Sequence, residues 1–272
     1  MPDTIHTGVA DGIATITMDR PAQRNAMTIE MVGEVHHELT DLAARQDVRI
    51  VVLTGAGKYF CPGGDADALA AGAPAYPALI GLGQEIYRIP AILHDMPQLT
   101  IAAINGSCAG AAMGWVCGCD LRYAVDEAKF TTAFLPLGLA GDMSIPWSLP
   151  RIVGAGRARQ LSFLSEVFDA REAYRIGLVN DVFPRADFTG RMEQILVRLT
   201  SARPAALLAL KEHYVRAENM SIVDYADYET EWHIENFTTD GLARFRAGRE
   251  PSSRGSPGST SSVAGSVGGG QR

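Results

Sequence analysis

Two glycine-rich turns are the parts of this sequence whose residue types and spacing are best suited to chemistry. Residues 61–67 read CPGGDAD and residues 105–112 read NGSCAGAA, and each lies between a predicted buried strand and a predicted helix. Small residues let a ligand approach the backbone, and the free N–H groups in a helix's first turn carry partial positive charge. Two such turns on adjacent strands could direct two amides at one oxygen atom, as an oxyanion hole requires.

The same turns also admit plainer interpretations. Glycine turns are common in proteins, and Asp65 could simply cap a helix. Neither turn is a nucleotide fingerprint, because Gly55-Ala56-Gly57 lacks the third glycine of the dinucleotide motif and the sequence contains no GxxxxGK[ST] loop. From the pattern alone, the turns either bind an oxygen atom or are purely structural.

Strands and helices that alternate along the first half of the chain must position these turns. Asp11-Gly12 separates two alternating runs and predicts a hairpin, and Thr28 is a candidate N-cap for a helix over 28–44. Apolar runs at 49–57 and 100–104 predict buried strands, and LRYAV (121–125) and KFTTA (129–133) predict two more. The other predicted helices cover residues 77–95, 110–118, 145–152, 157–165, 170–176, 187–201 and 205–218. This order predicts an α/β fold with a helical C-terminal region.

Composition argues against several classes of protein. A net charge of -7 and a pI near 5.4 provide no general attraction for nucleic acid or an anionic membrane. Residues 99–119 are uncharged, but the Asn105-Gly106 turn signal divides them into a strand and a helix, so no membrane span is expected. We expect the four cysteines to be reduced and the protein to be cytoplasmic. We expect no metal site, because no His/Asp/Glu cluster has metal-ligand spacing.

Several ordered motifs occur between about residue 5 and residue 245: RPAQRNAM (20–27), VVLTGAGKYFCPGGDADAL (51–69), IAAINGSCAGAAMGWVCGCDLRYAVDEAKF (101–130), GLAGD (138–142), LPRIVG (149–154) and AYRIGLVNDVFP (173–184). In type, order and spacing these motifs resemble those of the crotonase superfamily, the enoyl-CoA hydratase/isomerase family. The resemblance implies a crotonase-like spiral of ββα units over residues 1–190. It also implies a helical trimerisation region at 191–247, which forms a trimer or a hexamer. Residues 248–272 are rich in Gly, Ser and Pro, and we expect a disordered tail there.

The resemblance also implies where an acyl-CoA thioester would bind. The amides of Gly64 and Ala111 are the implied oxyanion hole, and Arg24 is the implied contact for a coenzyme A phosphate. Coenzyme A is then part of the substrate, and no separate cofactor is expected. The other implied binding residues are Ala26, Asp65, Ala66, Asp67 and Phe134.

Hydratases of this family use two glutamates, and both are missing here. Gly114 and Phe134 stand at the two positions, which argues against efficient hydration because adding water needs an acid and a base on one face. Asp142, in GLAGD, instead resembles the aspartate of ring-opening isomerases, dienoyl-CoA isomerases and 4-chlorobenzoyl-CoA dehalogenase. A lone aspartate in an apolar pocket has a raised pKa and could move a proton, or it could attack an activated ring. The structural alternative makes Asp142 the N-cap of the 144–152 helix.

An isomerase that uses Asp142 is therefore the predicted activity, and three others stay open. Hydration could survive if another carboxylate such as Glu85 reaches the pocket, which His94 could also line. A peptidase would need Ser107 as its nucleophile, although the sequence has no GxSxG elbow. A protein that kept the groove without the glutamates would bind acyl-CoA and exchange no protons.

Overall fold

The computed structural model describes residues 4–65 and 84–237. The chain divides into two units, Met1–Asn219 and Met220–Arg272. The predictions that lie outside the described residues are those for Ala66, Asp67, the first part of the 77–95 helix, residues 238–247 of the 191–247 region and the 248–272 tail.

A six-stranded sheet and a smaller three-stranded sheet form the framework of the first unit. The strands in chain order are β1 (Ile5–Ala10), β2 (Ile13–Met18), β3 (Ile50–Gly55), β4 (Leu99–Ile104), β5 (Cys108–Ala109), β6 (Leu121–Val125), β7 (Lys129–Thr131), β8 (Phe168–Asp169) and β9 (Asp181–Phe183). The large sheet has the order β1-β2-β3-β4-β6-β9, and only its β1–β2 pair is antiparallel. The small sheet has the order β5-β7-β8.

Helices follow most strands and dominate the second half of the chain. In chain order they are α1 (Ile29–Ala43), α2 (Ile89–Asp95), α3 (Ala111–Gly118), α4 (Ile145–Val153), α5 (Ala155–Leu164), α6 (Ala170–Arg175), α7 (Arg185–Thr200), α8 (Pro204–Ala217) and, in the second unit, α9 (Ile222–Phe237). Short 3-10 turns occur at Pro21–Gln23, Gln84–Arg88 and Leu135–Leu137. The predicted α/β architecture with a helical C-terminal region is confirmed.

Local sequence signals explain how α1 covers the large sheet. The Thr28 hydroxyl accepts a hydrogen bond from the Met31 amide at 3.2 Å, so the predicted N-cap is confirmed. Met31, Val35 and Leu39 follow at helical spacing and are fully buried. The helix therefore begins where its cap places it and packs through one apolar face.

The 77–95 prediction needs a correction in its described part. Instead of one helix, Gln84–Arg88 form a 3-10 turn and α2 begins at Ile89. Pro90 explains the break, because proline cannot donate the hydrogen bond of a continuous helix and restricts the residue before it. The short strands β5, β8 and β9 were not among the predicted elements. Their pairing partners lie far away in sequence, and segments of two or three residues carry little alternation.

The uncharged 99–119 stretch forms β4 and α3 on either side of the Asn105-Gly106 turn, as predicted, with the short strand β5 between them. Every residue of α3 is buried, so this helix has no polar face. Within residues 4–65 and 84–237, no helix has both the length and the apolar character needed to cross a membrane.

Candidate active site

The two glycine-rich turns lie side by side because β3 and β4 are parallel neighbours. Val52 is in register with Ile101, so both strands deliver their following turns to the same edge of the sheet. Beyond the strands, the Cys61 amide donates to the Ser107 carbonyl and the Ala109 amide donates to the Cys61 carbonyl, both at 3.1 Å. This pairing brings the 61–65 backbone into contact with the 107–111 backbone.

Gly63 is the point of closest approach between the turns. A Cβ atom on Gly63 would lie 2.8 Å from the Ala109 carbonyl oxygen and 3.3 Å from the Ala111 amide nitrogen. Its φ of +92° is also unfavourable for any residue with a side chain. Glycine is therefore required here for two reasons, and it places its neighbour Gly64 beside the first turn of α3.

The amides of Gly64 and Ala111 are both available to a ligand. Met27 donates to the Gly63 carbonyl at 2.8 Å and accepts from the Asp65 amide at 3.0 Å, which leaves the Gly64 N–H pointing away from Met27. Ala111 is the first residue of α3, where an N–H has no partner within the helix. In the described part of the chain, neither amide donates to another group.

The segment before α1 holds the first turn through side chains that the sequence analysis missed. Asn25 is fully buried, its amide group donates to the carbonyls of Ala56 and Tyr59 at 3.0 and 2.8 Å, and its oxygen accepts from the Arg20 amide at 3.0 Å. The Arg20 guanidinium donates to the Ala26 carbonyl at 2.5 Å and to the Asp65 carboxylate at 3.1 Å. Both residues lie within the RPAQRNAM motif, but only their partners reveal what they do.

Arg24 and Ala26 lie on opposite sides of Asn25 in this segment. Arg24 is exposed in a left-handed conformation, and its guanidinium carbon is 5.7 Å from the centre of the Tyr59 ring. The Lys58 ammonium is 5.5 Å from the centre of the same ring. Two cations therefore flank one aromatic side chain beside the first turn, and sequence reasoning had identified only Arg24.

At the first hydratase position, Gly114 leaves no room for a side chain. A Cβ atom there would overlap the carbonyl oxygen and the Cβ atom of Met143, and would lie 2.9 Å from the Met143 carbonyl carbon. The segment that carries Asp142 thus packs directly on α3, one turn after Ala111. The residue that follows Asp142 therefore contacts α3 three positions after Ala111.

Asp142 itself lies in an irregular turn. It is partly buried, and its Oδ1 accepts a hydrogen bond from the Met143 amide at 2.7 Å. Burial raises the pKa of the Asp142 carboxyl above its ordinary value, and the Met143 hydrogen bond opposes this only in part. Met143 and Ser144 both have positive φ, at 44° and 58°, a strained arrangement of a kind often found at functional sites.

The structural alternative for Asp142 is wrong. Ser144, not Asp142, is the N-cap residue of α4, and no side chain caps this helix. Asp142 contributes only its backbone carbonyl, which accepts from the Ile145 amide at 3.1 Å. Its carboxylate is therefore not required to begin the helix.

Phe134, at the second hydratase position, is buried and lines an apolar cleft of about 290 Å³. Leu139, Ile145, Pro146 and Phe163 also line this cleft. The Phe134 carbonyl accepts from the amides of Leu137 and Leu139, so this residue also shapes the loop that leads to Asp142. An aromatic ring here supplies apolar contact and no acid–base chemistry.

His94 and Asp120 form side-chain contacts within the described part of the chain, whereas Glu85 is exposed. His94 lies between Asp95 and Glu218, with ring nitrogens 2.6 and 3.4 Å from their carboxylates, and its ring meets Trp147 edge-on. Glu85 is exposed on the 3-10 turn. Asp120 accepts from both the amide and the hydroxyl of Thr100, which joins the end of α3 to the start of β4.

All four cysteines lie in the part of the chain that the structure describes. All four cysteines are reduced and buried, as expected, and burial raises the pKa of Cys61 and Cys119 to about 12. No group of three or more potential metal ligands occurs among residues 4–65 and 84–237.

Known proteins with similar sequences and structures act on, or bind, acyl-CoA. A family model described as enoyl-CoA hydratase/isomerase matches residues 8–253. The chain is 33% identical over 229 residues to 4-chlorobenzoyl coenzyme A dehalogenase-2 of an Arthrobacter species, which covers 83% of this chain and 81% of that protein. It is 30% identical over 258 residues to 1,2-epoxyphenylacetyl-CoA isomerase of Escherichia coli K12, with 92% and 98% covered. A Thermobifida fusca YX protein solved with acetoacetyl-CoA has a TM-score of 0.79 and 28% identity, with 90% of this chain and 96% of that one covered.

Proposed function

The chain belongs to the enoyl-CoA hydratase/isomerase family and has the crotonase fold, and we propose that it isomerises an acyl-CoA thioester with Asp142 as the acid–base group. One observation carries the proposal. Met143, the residue after the partly buried Asp142, packs on Gly114 of α3, the helix whose first residue, Ala111, has an amide without a partner among the described residues. Neither hydratase position holds a carboxylate, so Asp142 is the acid–base candidate that the family match supports.

The proposed reaction passes through a thioester enolate. The amides of Gly64 and Ala111 donate to the thioester oxygen, which stabilises the negative charge that develops there. A carboxylate oxygen of Asp142 removes a proton from the α or γ carbon, and the electron pair of that C–H bond forms the enolate. The resulting carboxylic acid returns the proton to a different carbon, which moves the double bond.

The environment of Asp142 suits both halves of this cycle. A carboxyl with an ordinary pKa is a weak base at neutral pH, and burial increases its affinity for a proton. The Met143 hydrogen bond orients the carboxylate without neutralising it. Because the site then returns to its starting state, isomerisation requires no water and no second carboxylate.

A nucleophilic reaction is the second candidate, and the similarity to a 4-chlorobenzoyl coenzyme A dehalogenase favours it. In that case an Asp142 oxygen would attack the chlorine-bearing ring carbon, chloride would leave, and water would hydrolyse the aryl ester. The aromatic side chain of Phe134 beside the loop is compatible with an aryl substrate. Chloride release from 4-chlorobenzoyl-CoA distinguishes this reaction from proton transfer.

Substrate binding and assembly complete the proposal. The Arg24 and Lys58 cations, which flank Tyr59, would bind a coenzyme A phosphate, and Ala26 and Asp65 would line the groove. Coenzyme A would enter as part of the substrate, with no further cofactor. We also propose that the enzyme is cytoplasmic and that it forms a trimer or a hexamer of two trimers.

Deuterium exchange tests the proposed function directly. The protein is incubated in deuterated water with saturated and 3-enoyl-CoA esters, while binding of each ester is measured in parallel. We expect deuterium at the acyl carbons and, since general acid–base groups typically contribute about 10²–10⁴-fold, a loss of that order in Asp142→Asn. Exchange that persists in Asp142→Asn would exclude Asp142 as the base. Esters that bind without any exchange would favour the nucleophilic reaction or a binding protein.

A further inference from the structure

Arg20 lies at the corner where the segment before α1 meets the first glycine turn. Its Nη1 donates to the Ala26 carbonyl at 2.5 Å and to Asp65 Oδ2 at 3.1 Å. The ion pair is mostly covered, with 20% of the Arg20 side chain and 14% of the Asp65 side chain exposed. A single nitrogen therefore bridges the RPAQRNAM segment and the residue that follows Gly64.

The ion pair completes a set of bonds on both sides of Gly64. Met27 binds the Gly63 carbonyl and the Asp65 amide, which fixes the backbone before and after Gly64. Arg20 adds a charged contact to the Asp65 side chain and anchors Ala26, the neighbour of Met27. Any shift of residues 63–65 relative to Met27 must stretch both sets of bonds.

Arg20 is itself held rigidly at its backbone. The Arg20 backbone amide donates to Asn25 Oδ1 at 3.0 Å. The Arg20 backbone carbonyl accepts from the backbone amide of Asn25 at 2.8 Å. Because the guanidinium is planar and always charged, it can hold two acceptors in fixed directions. The buried Asn25 therefore fixes the position of Arg20, and the Arg20 guanidinium in turn fixes the position of Asp65 in the first glycine turn.

We propose that Arg20 is a positioning residue for the oxyanion hole, which acts through Asp65 to aim the Gly64 amide at the thioester oxygen. The inference rests on the proposed function, in which that amide is one of two donors. In this proposal, the Asp65 carboxylate holds the first glycine turn in position through its ion pair with Arg20. Substrate recognition would then depend on the groove, while the alignment of the donor depends on Arg20.

Removing the guanidinium should impair chemistry more than binding. Losing one oxyanion donor costs about 10²–10³-fold in rate, and a misdirected donor should cost part of this, about tenfold or more. In Arg20→Met, which keeps an unbranched apolar stem, we expect the exchange rate to fall by that factor. Binding of the ester should weaken by no more than about threefold, because the groove contacts remain.

The carbonyl stretching frequency of a bound thioester reports the oxyanion hole without requiring any reaction. Butanoyl-CoA and phenylacetyl-CoA, labelled with carbon-13 at the thioester carbonyl, are bound to the full-length protein and measured by infrared difference spectroscopy. We expect a shift to lower frequency in the wild type, loss of most of that shift in Arg20→Met, and partial recovery in Arg20→Lys. Arg175→Met is the matched control, since Arg175 forms an exposed ion pair with Glu172 on α6 and should leave the shift unchanged.

The outcomes separate this inference from the proposed function. A wild type that binds neither ester, or binds one without a carbonyl shift, contradicts the oxyanion hole itself. A normal shift in wild type and in Arg20→Met overturns the role of Arg20 alone, as does a variant whose only defect is weaker binding. If Arg20→Met does not fold, the isosteric Asp65→Asn replaces it, and a wild-type shift in that variant overturns the role equally.

Discussion

Gly114 packs so closely against the backbone and side chain of Met143 that no residue larger than glycine fits at position 114. A Cβ atom on Gly114 would overlap the Met143 carbonyl oxygen and Cβ atom. The loop that carries Asp142 therefore occupies the space from which a hydratase glutamate would extend. In this backbone, a glutamate at position 114 and Asp142 in its present place are mutually exclusive.

Gly114→Ala should accordingly damage both stability and activity. Because the overlap is with backbone, the 142–144 loop must move, and overpacking of this kind typically costs about 1–3 kcal/mol. We expect a lower free energy of unfolding in urea and slower deuterium exchange, as Asp142 moves with its loop. Gly190→Ala in α7 is the control, because a Cβ atom there meets nothing within 4 Å and should be neutral or stabilising. Equal behaviour of the two variants would show that the loop adapts freely.

The pH dependence of exchange should reveal the raised pKa of Asp142. The base must be ionised to remove a proton, and burial raises the pKa of this carboxyl. We therefore expect the exchange rate, measured as kcat/KM, to fall on the acid side at a higher pH than an ordinary aspartate would give. A fall in kcat/KM at the pH expected for an ordinary aspartate, or one that persists in Asp142→Asn, would contradict the role of Asp142 as the base.

The same raised pKa predicts how Asp142 affects stability. The folded state binds the proton of the Asp142 carboxyl more tightly than the unfolded state does. The stability that this group contributes is therefore fully present below the pKa of the unfolded state, about 3.9. It is lost as the pH rises through the pKa of the folded state. Asp142→Asn should therefore be more stable than wild type at neutral pH and lose that advantage in acid. Parallel urea titrations at both pH values, at one protein concentration, measure the difference, and an advantage independent of pH would point to another cause.

Asn25→Ala should destabilise the loop between β3 and the first glycine turn. The substitution leaves the Ala56 and Tyr59 carbonyls without their donor and places alanine at a φ of +63°. We expect a loss of about 2–4 kcal/mol in the free energy of unfolding, from unmet hydrogen bonds and backbone strain together. Asn219→Ala, at an exposed position, should change it by less than about 0.5 kcal/mol. A similar effect from both variants would contradict the role of Asn25.

Local signals made much of the fold predictable from the sequence. The Asp11-Gly12 turn joins β1 and β2 as expected, and the Thr28 hydroxyl caps α1. These features depend on residues within a few positions of one another, so their chemistry can be read without the fold. The two glycine turns were also found this way, since each follows an apolar strand.

Long-range contacts explain what the sequence could not provide. Arg20 and Asp65 are 45 residues apart, and a surface arginine gives no sign of its partner. The need for glycine at position 114 depends on Met143, which lies on a different element. Family resemblance identified position 114 as unusual, but only its packing against Met143 gives the physical reason.

The complete burial of α3 has a consequence for engineering. This helix supplies the Ala111 amide, and all of its residues from Ala111 to Gly118 are enclosed by neighbouring elements. It has no solvent-facing side on which a library of substitutions could be made without repacking the interior. Attempts to change the accepted acyl group should therefore leave this helix constant and vary the loop around Phe134 and Leu139, where side chains line an open cleft. New substrates would then be accommodated around an unchanged anion-binding backbone.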